Sequence, residues 1–154
     1  MTDHHLFMRE AIKESQAAVA RGNQPYGAVL VHQGNIIARG QNSEVTDRDI
    51  TGHAELNLVR EAFRRFPAET LAHSTLYAST EPCAMCAGSI YWAGIGAVVY
   101  GCGTRAAGQL TGEAFTIPCA EIFARGGRQI VVTGPLLQDE ALAVVRPYWE
   151  QHRR

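Results

Sequence analysis

Glu81-Pro82-Cys83-Ala84-Met85-Cys86 is the stretch on which the reading of this chain turns. Alone, a C-x-x-C pair serves either redox chemistry or metal binding, and the surrounding chain has to choose. The chain turns at Glu81-Pro82, and a helix is expected from Cys83 to about Ala93. Two sulfurs three residues apart share one face of that helix and can reach one ion. The helix start also offers free N–H groups and a partial positive charge, which favour thiolates. Thirty residues upstream, His53-Ala54-Glu55 opens a second expected helix that runs to about Phe66, where Pro67 closes it. His53, Cys83 and Cys86 together form the nitrogen-and-sulfur ligand set that zinc favours.

Three protein ligands leave a fourth tetrahedral position for water, as in catalytic zinc sites, whereas structural sites are closed by four. Zinc brings such a water towards hydroxide near neutral pH. Glu55 is placed to take the water's proton and pass protons to a ring nitrogen and a departing amine. That combination suits hydrolytic deamination. Cys102, Cys119 or His73 could instead supply a fourth ligand and make the metal purely structural. Otherwise Cys102 and Cys119 read as small buried hydrophobes.

Outward from these motifs, the pattern predicts a first helix capped at Asp3 and ending by Arg21, ahead of Gly22 and Asn23. Strands are expected at 27–32 and 36–40, joined by Gln33-Gly34-Asn35. Residues 42–51 read as loop. Further strands are expected at 74–78, 97–101 and 129–133. Residues 101–115 read as Gly-rich and irregular, 120–124 as a short helix, and 139–151 as a last helix. Strands alternating with helices imply an α/β fold, mostly parallel with one antiparallel hairpin. Right-handed crossovers place the helices in three layers around a five-stranded sheet. Active residues are expected where strands end and helices begin.

The length of 154 residues suits one domain, and 46% hydrophobic with 19% charged residues suits a soluble globular chain. The longest apolar runs are strand-length, far short of a membrane span. The polar start Met1-Thr2-Asp3-His4-His5 does not resemble a signal peptide, so a cytoplasmic location is expected. Four cysteines there fit a disulfide framework poorly. The formal charge is −1, with one Lys and thirteen Arg scattered along the chain, which argues against a large nucleic-acid footprint. Arg60, Arg64 and Arg65 share one expected helix and read either as a local basic patch or as a solvated face with a Glu61–Arg65 pair.

H-x-E followed by P-C-x-x-C is the signature of the zinc nucleobase deaminases. From the first helix through at least Gly101, the chain resembles the cytidine deaminase-like superfamily. The resemblance implies a three-layer α/β/α fold over residues 1–154, with a five-stranded mixed sheet whose last strand is parallel. It also implies one zinc per chain and assembly as a homodimer. The similarity is greatest to the branch containing guanine deaminase, cytosine deaminase and tRNA adenosine deaminase. That branch shares the C-x-x-C ligand pair and a helix before the fifth strand, which the expected helix at 120–124 matches.

For the substrate, Asn42 matches the family asparagine that hydrogen-bonds the ring, although an asparagine ending a strand in a turn is common. An amide carries both donor and acceptor. The Ala54 N–H is a natural second contact. Ser89-Ile90-Tyr91-Trp92-Ala93 and Tyr26 resemble guanine deaminase, whereas Asp49-Ile50-Thr51-Gly52 departs from the usual Asp-Pro-Thr. The segment 108–115 matches no subfamily pattern. Glu113 either reads the amino edge of the ring, as an acidic residue does in guanine deaminase-like proteins, or is a solvent-exposed loop residue. Phe115, Trp92, Tyr26 and Trp149 are candidates for ring stacking or for the core, and Trp149 qualifies only if the last helix closes over the site. The last helix is mildly acidic until His152-Arg153-Arg154, unlike the basic helix of the tRNA enzyme. The expectation is a free-base aminohydrolase for guanine, cytosine or a triazine-like ring. A tRNA adenosine-to-inosine deaminase is the alternative, and a non-catalytic zinc-stabilised module a third reading.

Overall fold

A computed structural model of the chain describes residues 3–152. Met1 and Thr2 of the polar start, and Arg153 and Arg154 of the basic end, lie outside the described residues. The first helix, α1 (His4–Ala20), is capped by Asp3, whose carboxylate accepts from the Leu6 N–H at 3.1 Å. Strands β1 (Gly27–His32) and β2 (Asn35–Gln41) follow. Their turn is tighter than the expected three-residue loop. Gln33 and Gly34 alone make it, both with positive φ (50° and 78°), as a two-residue hairpin of the primed type requires.

The segment expected as loop after β2 carries one helical turn, α2 (Glu44–Asp47). Helix α3 (Ala54–Arg65) begins one residue later than expected, with His53 at its N-cap. Pro67 closes α3 as expected, with Phe66 extended before it, and also caps a short α4 (Ala68–Ala72) that the pattern did not reveal. Then come β3 (Ser74–Thr80), α5 (Ala84–Ala93) with Cys83 at its N-cap, and β4 (Ala97–Cys102).

The largest departure lies in the stretch expected to be irregular. Residues Thr104–Thr111 form helix α6, capped by Gly103 and stopped by Gly112 at φ 80°. Its glycines start and end a helix instead of breaking one. Helix α7 (Cys119–Phe123), a short β5 (Val131–Thr133) and α8 (Gln138–Gln151) complete the chain.

The five strands lie in the order β2-β1-β3-β4-β5. β1 runs antiparallel to both β2 and β3, and β3, β4 and β5 are parallel, so the last strand has the expected sense. Side-chain alternation along β1 feeds two cores. Ala28 and Leu30 pack with α3, α5 and α7 residues such as Leu58, Ile90 and Phe123. Val29 and Val31 face the other way, onto Met8 of α1, Ala107 of α6 and Val145 of α8. This is the three-layer α/β/α arrangement. Gly40 lets β2 lie directly under the start of α3, since a Cβ there would sit 2.3 Å from the Ala54 carbonyl oxygen. Among the described residues, no helix is long and apolar enough to cross a membrane.

Candidate active site

The starts of α3 and α5 meet at the C-terminal edge of the parallel strands, bringing His53, Glu55, Cys83 and Cys86 together. The Nδ1 atom of His53 lies 3.5 Å from Cys83 Sγ and 3.6 Å from Cys86 Sγ. A tetrahedral ion with Zn–N near 2.1 Å and Zn–S near 2.3 Å would separate nitrogen from sulfur by about 3.6 Å. Both nitrogen–sulfur spacings therefore match zinc, and all three ligand atoms lie within 4.8 Å of one another. Among the described residues, this trio is the one cluster of His, Cys, Asp or Glu with metal-ligand spacing. Cys102 and Cys119 are buried elsewhere, with Cys102 Sγ 3.1 Å from Thr80 Oγ1, while His73 Nδ1 faces the Glu69 carbonyl oxygen at 2.9 Å. None of them joins the trio.

The two thiols shift each other in opposite directions. A hydrogen bond from Cys86, with His53 beside it, pulls Cys83 down to about 4. The same bond, with burial, pushes Cys86 well up. His53 is raised, chiefly by its contact with Cys83. Its other ring nitrogen, Nε2, points at Glu44 Oε2 across 3.6 Å. That is long for a hydrogen bond but close for a carboxylate behind a histidine ligand. Glu55 is 6% exposed. Burial, reinforced by the Cys83 charge, raises its carboxyl from 4.5 to about 7, against the opposing pull of His53.

His53, Glu44, Glu55 and Cys83 open onto a cavity of about 340 Å³, also lined by Gln24, Tyr26, Met85, Glu113 and Phe115. Tyr26 is fixed by the last helix, because its hydroxyl accepts a 2.9 Å hydrogen bond from Trp149 Nε1. Trp149 itself is buried against α1 and the sheet. It therefore belongs to the core and reaches the cavity only through Tyr26. Glu113 and Phe115 come from the segment after α6. Glu113 Oε1 accepts from the N–H groups of Ala114 and Phe115 at 2.8 and 3.0 Å, which shapes the loop around its own side chain.

Three residues expected at the substrate do not line this cavity. Trp92 is 82% exposed on the outer face of α5, with its ring edge-on to Tyr91. It stands nine residues beyond Cys83, about two and a half helical turns, which is the opposite side. Ala54 is fully buried, but as the first residue of α3 its N–H has no partner within the helix. Asn42 is buried behind the wall. Its Oδ1 accepts from the Gln24 and Glu44 N–H groups at 3.3 and 3.1 Å. Its Nδ2 is the one buried side-chain polar atom without a partner among the described residues. Asn57 of α3 braces this corner by donating to the Gln41 carbonyl at 3.0 Å and to Ser43 Oγ at 2.9 Å.

Sequence reasoning passed over two carboxylates. Glu44, between Asn42 and His53, carried no pattern signal. Glu81 stood in plain view before Pro82 but had no assigned role; largely buried in the cavity lining, it accepts from the Thr104 and Cys119 N–H groups at 2.9 and 2.8 Å. The arginines of α3 serve a solvated face: Arg65 pairs with Glu61 at 3.0 Å, and Arg60 donates to Asn57.

The comparisons agree with this geometry. Residues 1–102 match the model of the cytidine and deoxycytidylate deaminase zinc-binding region. A probable cytosine deaminase of Schizosaccharomyces pombe is 34% identical over 152 residues, 96% of this chain and 93% of that protein. A tRNA-specific adenosine deaminase of Bacillus subtilis is 43% identical over 101 residues, 66% of this chain and 63% of that one. The solved guanine deaminase of Nitrosomonas europaea superposes with a TM-score of 0.82 at 26% identity, covering 97% of this chain and 86% of the other. A ligand trio shaped for zinc, a buried glutamate at its side and these matches lead to one statement: the chain belongs to the zinc-binding cytidine and deoxycytidylate deaminase family and is a zinc-dependent hydrolytic deaminase.

Proposed function

We propose that the substrate is a free nucleobase or a related aminated heterocycle, of the guanine, cytosine or triazine-like class. The observation that carries this is the cavity's size. About 340 Å³ lies at the small end of ligand clefts, room for one ring system with little beside it. Tyr26, tethered to α8, stands at one side, and Phe115 with Glu113 at another. His53, Cys83 and Cys86 hold the zinc, which supplies Lewis-acid activation of water. Glu55 moves the protons: one from water to the ring nitrogen, and one to the leaving amine, so that C–NH2 and H2O become C=O and NH3.

Asn42 stands behind the cavity lining with Oδ1 committed to two backbone N–H groups, so the contact it has left for a ring that reaches it is Nδ2. It therefore asks the ring for an acceptor, such as a carbonyl, and the Ala54 N–H asks for a second. Glu113 and Tyr26 read the remaining edge, and Phe115 covers a face. Homodimer assembly belongs to the same proposal, supported by the apolar Phe63 and Trp92 left exposed on α3 and α5.

Ammonia release from guanine, cytosine, aminotriazines, nucleosides and a tRNA anticodon stem-loop tests the reading. Turnover of one or more free rings, with none on RNA, is expected. Turnover confined to the stem-loop would replace it with the alternative of tRNA adenosine-to-inosine deamination; the Bacillus subtilis relative is named a tRNA-specific adenosine deaminase.

A further inference from the structure

We propose that Glu81 is the positioning residue that holds the selectivity wall of the cavity at a fixed distance from the metal ligands. The wall in question is residues 104–119, and its role towards a small ring rests on the function proposed above. This segment is folded largely upon itself. Gly108 packs so closely that a Cβ there would meet the Glu113 carbonyl oxygen at 2.8 Å and Thr116 Cγ2 at 2.7 Å. Thr111 Oγ1 accepts from the Glu113 N–H at 3.1 Å, and Glu113 folds back onto the next two N–H groups. Such a loop keeps its own shape but leaves its placement to its two ends.

One carboxyl group holds both ends. Glu81 Oε1 accepts from Thr104 N, the first residue of α6, at 2.9 Å, and Oε2 accepts from Cys119 N, the first residue of α7, at 2.8 Å. Each contact satisfies a helix-start N–H that has no partner in its own helix. Glu81 is 6% exposed, so neither oxygen is traded cheaply for water. On the chain it stands two residues before Cys83. Its own N–H donates to the Cys102 carbonyl at 2.8 Å, which extends the β3–β4 ladder to the clasp. Gln138 of α8 adds a weaker tie through Gly103 N at 3.1 Å. The sheet end that delivers the metal ligands thus also delivers the anchor of the wall carrying Glu113 and Phe115. Glu81 itself touches the cavity, but both its oxygens are committed to backbone N–H groups, so it acts on the substrate through the wall.

The test uses the zinc-loaded full-length chain. Glu81→Gln is nearly isosteric but turns an NH2 group towards one of the two backbone donors. Deuterium uptake in 104–119 should rise while uptake in 27–32 stays fixed, with zinc content unchanged. With the free base turned over best, KM should rise about tenfold or more while kcat stays within about threefold. Thr104→Pro reaches the same bond from the other side. Proline lacks the N–H, is tolerated at a first helical position, and follows Gly103 at φ −71° and ψ 155°. Thr104→Ala, which keeps the N–H, is the control and should leave uptake unchanged. The double variant Glu81→Gln/Thr104→Pro should cost less than the sum of the two singles. If Glu81→Gln opens 27–32 as well, Thr104→Pro decides alone. Unchanged uptake in 104–119 would overturn the clasp. So would an opened segment with unmoved KM, or a loss of zinc that would make Glu81 a support of the metal site. The exchange arm needs no substrate, so a mistaken substrate class would not disguise its result.

Discussion

Glu55→Gln, examined in the metal-free protein, separates what the site costs from what it does. In the unfolded chain this carboxyl ionises near 4.5, and in the folded metal-free chain near 7, because it is buried beside Cys83. Between those values the unfolded state releases its proton first. Folding stability attributable to Glu55 is therefore intact at the acid end and falls as pH rises towards 7. From pH 5 to pH 8 the loss amounts to about 2–3 kcal/mol. Glutamine has no proton to lose, and whatever its amide costs is the same at both pH values. The stability of Glu55→Gln relative to the parent should therefore improve by that amount across the range. For a chain of this length, 1 kcal/mol moves Tm by about 2–4 °C, so the Tm gap should widen by about 5–10 °C. Thermal melts of both chelated proteins at pH 5 and pH 8 measure it. A Tm gap that stays constant with pH would refute the claim that Glu55 is held protonated by its surroundings. The zinc-loaded variant should still bind one zinc per chain while turnover falls by at least about 100-fold.

Further outcomes follow from other contacts. Chelation should make Cys83 the first thiol alkylated by iodoacetamide, since it is half-buried with its thiol held near 4. Cys102, buried and pushed up to about 11, and Cys119, buried and also raised, should stay unlabelled until the chain unfolds, as peptide mapping will show. Trp149→Phe removes the 2.9 Å hydrogen bond to Tyr26 from a site 123 residues away in sequence. It should lower stability by about 1–3 kcal/mol in urea melts and raise KM for the base, with zinc content unaffected. Gly40→Ala drives a methyl to 2.3 Å from the Ala54 carbonyl and 2.9 Å from Leu58 Cβ. It should cost about 1–3 kcal/mol and reduce kcat, because α3 carries Glu55 in its first turn; an unchanged urea midpoint would contradict that packing.

The metal trio and Glu55 were legible in the sequence because their chemistry resides in residue type and local spacing. A histidine and two cysteines at helix starts need no long-range knowledge to be recognised. Most helix and strand ends also fell within a residue or two. Helix α6 was hidden because three glycines within ten residues look like punctuation, whereas Gly103 and Gly112 cap the helix and Gly108 admits the returning chain. Helix α4 was hidden because a proline reads more easily as a stop than as a start. Trp92 illustrates a different gap. Its motif resemblance drew it to the substrate, although counting turns from Cys83 places it on the far side of α5. Contacts such as Tyr26–Trp149 and Glu81–Cys119 join distant segments, and no local pattern encodes them.

The family match ends at Cys102, one residue before the cap of α6. Up to that point come His53, Cys83, Cys86 and Glu55; beyond it come α6, α7, β5 and α8. Cys102 lies inside one continuous sheet and core, because β5 beyond it pairs with β4 and α8 packs against α1 and β1. The attachments across that point include two oxygens of Glu81 and the hydroxyl of Tyr26. A graft of residues 103–152 from another member would therefore have to keep those contacts in register together with the β4–β5 ladder and the core face of α8.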